Sequence, residues 1–202
     1  FTALGYEVTL SGLSTRRTYE KGQFTIPSDT ACYPAKLMHG HMLELIEQGV
    51  DTLFYPCLTY NVDEKAGDNH FNCPVVAYYA ELLNGNMEAL RNVRFLYPYL
   101  DISSPRALTR SLTPALQAAD ASIGRGEVRA AVQAGFEAYE RYKNDLRAEG
   151  ERAIAYARAH GKRIMILAGR PYHTDPEIGH GIDKLAVSLG FVVVSEDAVC
   201  HL

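Results

Sequence analysis

Three absences narrow the reading of this sequence before any motif does. It has no block of lysine and arginine and no basic stripe interleaved with aromatics, and its formal charge is -4 with 22% charged residues, which argues against a general nucleic-acid binder. No apolar run approaches the roughly 18 residues that a spanning helix needs, and Phe1-Thr2-Ala3-Leu4 lacks the basic region of a signal peptide, so no membrane is expected and the cytoplasm is the expected setting. Cysteine is scarce: four in 202 residues are too few for a disulfide scaffold, and none stands in a Cys-x-x-Cys pair. Clustered cysteines in a reducing compartment point instead to metal or redox chemistry.

What is present is concentrated between Pro27 and Pro74, where three of the four cysteines each sit beside a proline: Ala31-Cys32-Tyr33-Pro34, Tyr55-Pro56-Cys57 and Asn72-Cys73-Pro74. Val50 to Tyr55 is a short apolar run rich in β-formers that Pro56 ends, which puts Cys57 just past the C-terminal end of a strand. In open α/β sheets that edge is where ligands bind. Ser28-Asp29-Thr30 precedes a helical stripe of Leu37, Met38, His41, Met42, Leu45 and Ile46 that stops at Gly49, so Cys32 is expected in or at the first turn of a helix. Asn69, Asn72 and Pro74 mark a second helix start, at Cys73. Helix N-terminal amides favour the thiolate, the form that ligates metals, and the three thiols are expected to converge on one metal site.

The remainder of the chain reads as two α/β lobes joined by a helical segment. Length allows one large domain or one and a half small ones. The expected boundaries are a first Rossmann-like lobe over 1–125, a helical bridge over 126–161 and the start of a second lobe over 162–202. In the first lobe, Phe1 to Gly5 reads as a glycine-capped helical turn leading into a strand Tyr6–Leu10. Arg16 and Arg17 are a solvated pair or a phosphate contact. His39 and His41 lie two apart on a helix, on different faces, and are expected to be core or surface residues that share no metal. Asp63 to Asn69 forms the unperiodic centre of a polar loop, and Tyr60, Asn69, His70 and Asn72 are its polar candidates near the thiols, with ordinary loop and capping residues as the alternative. A further strand is expected at Val93–Tyr97, and a helical block from Pro105. The long amphipathic stretch from Glu127 to His160 carries one apolar stripe, which Gly150 could interrupt.

From Lys162 onward, Arg163 to Gly169 reads as a buried parallel strand, Ile182 to Leu189 as a helix, and Phe191 to Ser195 as the strand that completes a right-handed β-α-β unit. The turn Gly169-Arg170-Pro171-Tyr172-His173 has neither the glycine spacing of a dinucleotide fingerprint nor the Gly-Lys-Ser/Thr of a phosphate loop. Arg170 is a candidate for an anionic group and His173 for a proton, with an ordinary turn as the alternative. This turn is expected to face the same cleft as the thiols. Cys200 also follows a strand end and is a weaker candidate ligand. Because both ends look cut, the chain is expected to be a fragment of a longer protein.

Structural zinc usually shows paired knuckles, absent here, whereas iron-sulfur ligands can come singly from separate loops and often neighbour a proline. Around such a cluster two ligand sulfurs stand roughly 6 to 7 Å apart. Zinc remains the alternative, as do three isolated structural cysteines.

The runs Ile26 to His41, Phe54-Tyr55-Pro56-Cys57, Asn69 to Pro74 and Gly169 to His173 resemble, in order, the 2-hydroxyacyl-CoA dehydratase superfamily, and within it the group related to acyl-CoA dehydratase activases. The resemblance implies Rossmann-like lobes with an iron-sulfur cluster in the cleft, a four-iron four-sulfur (4Fe-4S) cluster in the better-known relatives, held by Cys32, Cys57 and Cys73. It implies a place in a dehydratase-type lyase or an ATP-dependent reductase system. An ATP-dependent activase module, in cis or in trans, would send a low-potential electron to an acyl-CoA dehydration or a similarly difficult reduction. The ATPase motifs of that module are not in this chain. The competing expectation is an interaction or structural module whose cysteines hold zinc or no metal. Catalytic residues are not assigned beyond the candidates Arg170, His173 and His70.

Overall fold

The computed structural model describes residues 1–63 and 67–202, which divide into two compact units: Phe1–Gly12 with Arg17–Phe136, and Leu13–Arg16 with Glu137–Leu202. Glu64, Lys65 and Ala66, at the centre of the expected unperiodic loop, lie outside the described residues.

The first unit opens with a 3-10 turn, Thr2–Leu4, closed by Gly5 at φ 83°, a left-handed conformation that glycine adopts without Cβ strain. The strand expected at Tyr6–Leu10 does not form: no regular structure occurs there, and Val8 and Leu10 are 45% and 80% exposed. Alternation specifies which face a strand would bury, but it stabilises nothing without a paired neighbour. Helix α1, Arg16–Gly22, crosses helix α2, Tyr33–Glu47, at glycine-to-backbone distance. A Cβ on Gly40 would collide with the carbonyl oxygen of Thr18, so the crossing requires glycine.

Strand β1, Thr52–Phe54, pairs in parallel with β2, Arg94–Leu96, and helix α3, Pro74–Asn86, connects them. Leu53 stands opposite Phe95. Ala35 and Met42 of α2, Leu53 of β1, Tyr79 and Leu83 of α3, and Met87 and Leu90 beyond it form the core. Each of the larger side chains contributes about 1.5–3 kcal/mol by leaving water. Helix α4, Pro105–Ala119, is capped by the Ser104 hydroxyl, which accepts the Ala107 N–H at 3.2 Å. Its Leu116 packs on Val128 and Val132 of helix α5, Arg125–Ala159.

Helix α5 runs for 35 residues from the first unit into the second. Gly150 does not interrupt it. A Cβ there would collide with the Ala198 carbonyl oxygen, so this glycine serves packing. Although α5 is long, no helix among the described residues is long and apolar enough to cross a membrane.

In the second unit β3, Ile164–Leu167, and β4, Val192–Ser195, pair in parallel around helix α6, Ile182–Ser188. Val194, Ala198 and Val199 form its core against Leu146, Ala153 and Ile154 of α5. The expectation of a buried β3 is corrected: Ile164 and Ile166 are 36% and 54% exposed, while Met165 and Leu167 are half-buried. A continuous apolar run predicts cover on both faces, but this unit covers one. With a parallel β-α-β in each unit, the chain is α/β, as its sequence indicates.

Candidate functional site

Cys32 and Cys73 occupy the same backbone position in two helices. Each is the N-cap residue, at φ -65° and ψ 155° in α2 and φ -64° and ψ 157° in α3, with a proline in the first turn. Their carbonyls accept the first helical bonds, from Lys36 N–H at 3.1 Å and Ala77 N–H at 3.0 Å. Neither thiol accepts a bond from its own helix. Each sulfur therefore stands at the positive end of a helix dipole without being used to close it.

Cys57 reaches a comparable setting by another route. Pro56 ends β1 as expected, yet pairing resumes one residue later: Cys57 N–H donates to Pro98 O at 2.9 Å and Leu100 N–H to Cys57 O at 3.0 Å, forming a parallel bridge to Tyr99. The segment then enters the hydrogen-bond ladder of α3. Leu58 N–H donates to Val76 O at 3.1 Å, while the Ala80 and Glu81 amides bond the Cys57 sulfur. In an unbroken helix Val76 O and Ala80 N–H would bond each other. Helix α3 breaks there, with Tyr78 at φ -153° and ψ 15°, and the second half gains an N-terminus of its own facing Cys57.

Burial of Cys57, 1% exposed, and the nearby Glu81 carboxylate push its thiol pKa up. The Glu81 and Ala80 amides and the Tyr99 hydroxyl pull it back without reversing the shift. Tyr99 also donates to Glu81 Oε1 at 2.8 Å, and that bond leads the causes that push its own pKa up to about 12.

The three thiols share one neighbour. The Tyr55 phenol is pushed up to about 12, first by burial, then by the charges of Tyr79, Cys57, Cys73 and Cys32. All three sulfurs thus lie within electrostatic reach of one hydroxyl at the C-terminal end of β1. As placed, among the described residues, no group of three or more His, Cys, Asp and Glu side chains could hold a metal ion. The thiols thus share Tyr55 as an electrostatic neighbour, and among the described residues they form no closed coordination sphere.

The polar candidates near the thiols divide. Asn72 Nδ2 donates to Leu58 O at 3.0 Å and Asn69 Oδ1 accepts from Phe71 N–H at 3.4 Å, so both hold the loop's own backbone. The loop base closes as an antiparallel pairing of Tyr60 with Phe71, with Asn61 N–H on His70 O at 2.8 Å. His70, half-buried, presents its ring to Tyr60 at 5.7 Å. Of the core and surface placements that the sequence allowed for His39 and His41, both take the core one, buried in α2.

In the second unit, the Gly169–His173 turn lies at the C-terminal end of β3. His173 Nδ1 accepts the Arg170 N–H at 2.9 Å, which places any proton of the neutral ring on Nε2 and makes the ring a cap for its own turn. Gly169 is needed for this, since a Cβ there would stand 2.6 Å from that nitrogen. Arg170 is exposed. Cys200 is exposed in the turn after β4, its sulfur 3.8 Å from Asp197 O.

Sequence reasoning missed Tyr55, Tyr79, Tyr99 and the helix break. The one available signal was the crowded helix start Val75-Val76-Ala77-Tyr78-Tyr79, where β-branched and aromatic residues weaken a helix.

No curated protein and no solved structure matches the chain. A family profile described as the CoA enzyme activase uncharacterised domain matches residues 1–199, nearly the whole sequence. With that match running through both units and all three proline-flanked cysteines, the chain belongs to the CoA enzyme activase uncharacterised domain family.

Proposed function

We propose that this chain is the iron-sulfur module of a CoA-enzyme activase system, with Cys32, Cys57 and Cys73 as the ligands. It would relay low-potential electrons, from an ATP-dependent activase in cis or in trans, to an acyl-CoA dehydration or a comparably difficult reduction. The observation that carries the reading is geometric: Cys32 and Cys73 hold equivalent N-cap positions with their thiols unused by the helices, Cys57 follows the end of β1, and all three lie within electrostatic range of Tyr55. The donor set fits the group in kind: thiolates are its standard ligands, and N–H donors to ligand sulfur tune its potential. A bound cluster would supply one-electron chemistry.

The chain's own residues have separable tasks. Two helix N-termini and the internal N-terminus in α3 offset negative charge on sulfur. Ala80 and Glu81 donate to Cys57 directly. Tyr55, with its phenol pushed up to about 12, stays protonated at neutral pH and adds no negative charge to the surroundings of the thiols. Purification under anaerobic conditions, with iron, sulfide and zinc quantified, tests the reading. Iron and sulfide in near-equal amounts support it; zinc alone, or no metal after reconstitution, supports an interaction or structural module instead.

A further inference from the structure

Away from the thiols, the N-terminal turns of α4 and α5 border a cavity of about 580 Å³. Arg106 and Thr109 line it from α4, and Arg125, Arg129 and Gln133 from α5. From this arrangement we propose that the cavity binds a phosphate-bearing ligand carrying at least two negative charges, a site separate from the thiols and independent of whether they hold a cluster.

Three observations support it. First, the wall is cationic without compensation: among the described residues no carboxylate lines the cavity, and the side chains of Arg106, Arg125 and Arg129 make no ion pair or hydrogen bond. The neighbouring acids are engaged elsewhere. Glu127 Oε2 accepts the Gly124 N–H at 2.7 Å, Asp120 Oδ1 accepts from the Ser122 hydroxyl at 2.6 Å, and Asp101 faces Arg110. In a chain of net charge -4, three guanidinium groups on one cavity wall without a counter-charge form a local cationic patch.

Second, the arginines stand at the wrong end of their helices for stability. Arg106 lies in the first turn of α4 and Arg125 and Arg129 in the first two turns of α5, where the helix dipole is positive and cations are unfavourable. A bound anion would offset both the guanidinium repulsion and the two positive helix ends. Local rules are broken most often where a site needs them broken.

Third, the spacing suits a forked anion. Arg125 and Arg129 are four apart on one helix and present their groups on one face, with Arg106 opposite on α4. Guanidinium groups bind phosphate oxygens bidentately, and the cavity is large enough for an organic ligand beyond the phosphates. Among the described residues no aromatic side chain lines it, so recognition is by charge and not by base stacking.

Calorimetric titration of the metal-free 202-residue chain with inorganic pyrophosphate, coenzyme A and dephospho-coenzyme A is the test. The expected result is saturable one-to-one binding of at least one of the three, weakened at least about tenfold in Arg125→Gln/Arg129→Gln and also weakened in Arg106→Gln. Arg110→Gln, which faces Asp101 outside the cavity, should bind like the parent. Preference for coenzyme A over its dephospho form would identify the terminal ribose phosphate as the group held, and equal binding of pyrophosphate would identify the diphosphate; either supports the site. Thermal melting separates loss of the site from loss of fold, and Arg106→Gln, a change at an exposed side chain, keeps the test valid should the double variant unfold. Absence of saturable binding for all three ligands, or binding unchanged within about twofold in both cavity variants, would overturn it.

Discussion

The Tyr79 hydroxyl donates to His39 Nε2 across 2.9 Å inside the first core, and the direction of that bond is set three groups away. Thr25 spends its one hydroxyl proton on Gly22 O at 2.8 Å, so its oxygen can only accept from His39 Nδ1, also at 2.8 Å. His39 is thereby fixed as the neutral Nδ1–H tautomer, with Nε2 open to the phenol.

This arrangement predicts a pH dependence of stability. Burial lowers the His39 pKa from 6.5 to about 4, so below pH 6.5 the unfolded chain takes up a proton that the folded chain refuses. The associated stability is complete above about pH 6.5 and is lost as pH falls toward 4, by about 2–3 kcal/mol. Urea melts at pH 7.5, 5.5 and 4.5 should show the loss in the parent and a flatter profile in His39→Gln. An identical slope in both would assign the effect elsewhere.

The glycines of α5 predict opposite responses to one substitution. Gly150→Ala drives a Cβ into Ala198 O and should destabilise by about 1–3 kcal/mol, whereas Gly135→Ala meets open space and should stabilise by about 0.5–1 kcal/mol. Thermal denaturation reads both; a neutral Gly150→Ala would mean that the Ala198 turn yields.

Thiol chemistry should rank the cysteines in the metal-free protein. Cys32 and Cys200 are exposed, while Cys57 is buried with its pKa raised by burial and Glu81. Iodoacetamide labelling followed by peptide mass spectrometry should modify Cys57 last. Tyr99→Phe leaves the Glu81 carboxylate beside the thiol without its 2.8 Å phenol donor, so its charge bears more fully on Cys57 and should slow labelling further; faster labelling in that variant would contradict the coupling.

Both β-α-β elements, the N-cap places of Cys32 and Cys73 and the position of Cys57 past a strand end were legible because each depends on local signals: proline, capping residues and short apolar runs. Tyr6–Leu10 misled because its alternation carries no information about a partner strand. The break in α3 was illegible because Tyr78 is displaced by a segment twenty residues upstream, the Leu58 N–H taking Val76 O. The arginine cavity was missed for a similar reason. Arg106 and Arg125 are separated by 19 positions and only the α4–α5 corner brings them together.

The central claim is that Cys32, Cys57 and Cys73 act as one ligand set. Its most direct measurement is anaerobic reconstitution of the parent and of Cys32→Ala, Cys57→Ala, Cys73→Ala and Cys200→Ala, with iron and acid-labile sulfide quantified per chain alongside the visible spectrum. The account predicts that the parent and Cys200→Ala carry the same iron and sulfide, and that the other three lose most of both, including Cys32→Ala, where the exposed side chain makes a folding defect an unsuitable explanation. A parent that takes up no iron, or a Cys32→Ala variant with the parent's full content, would contradict it.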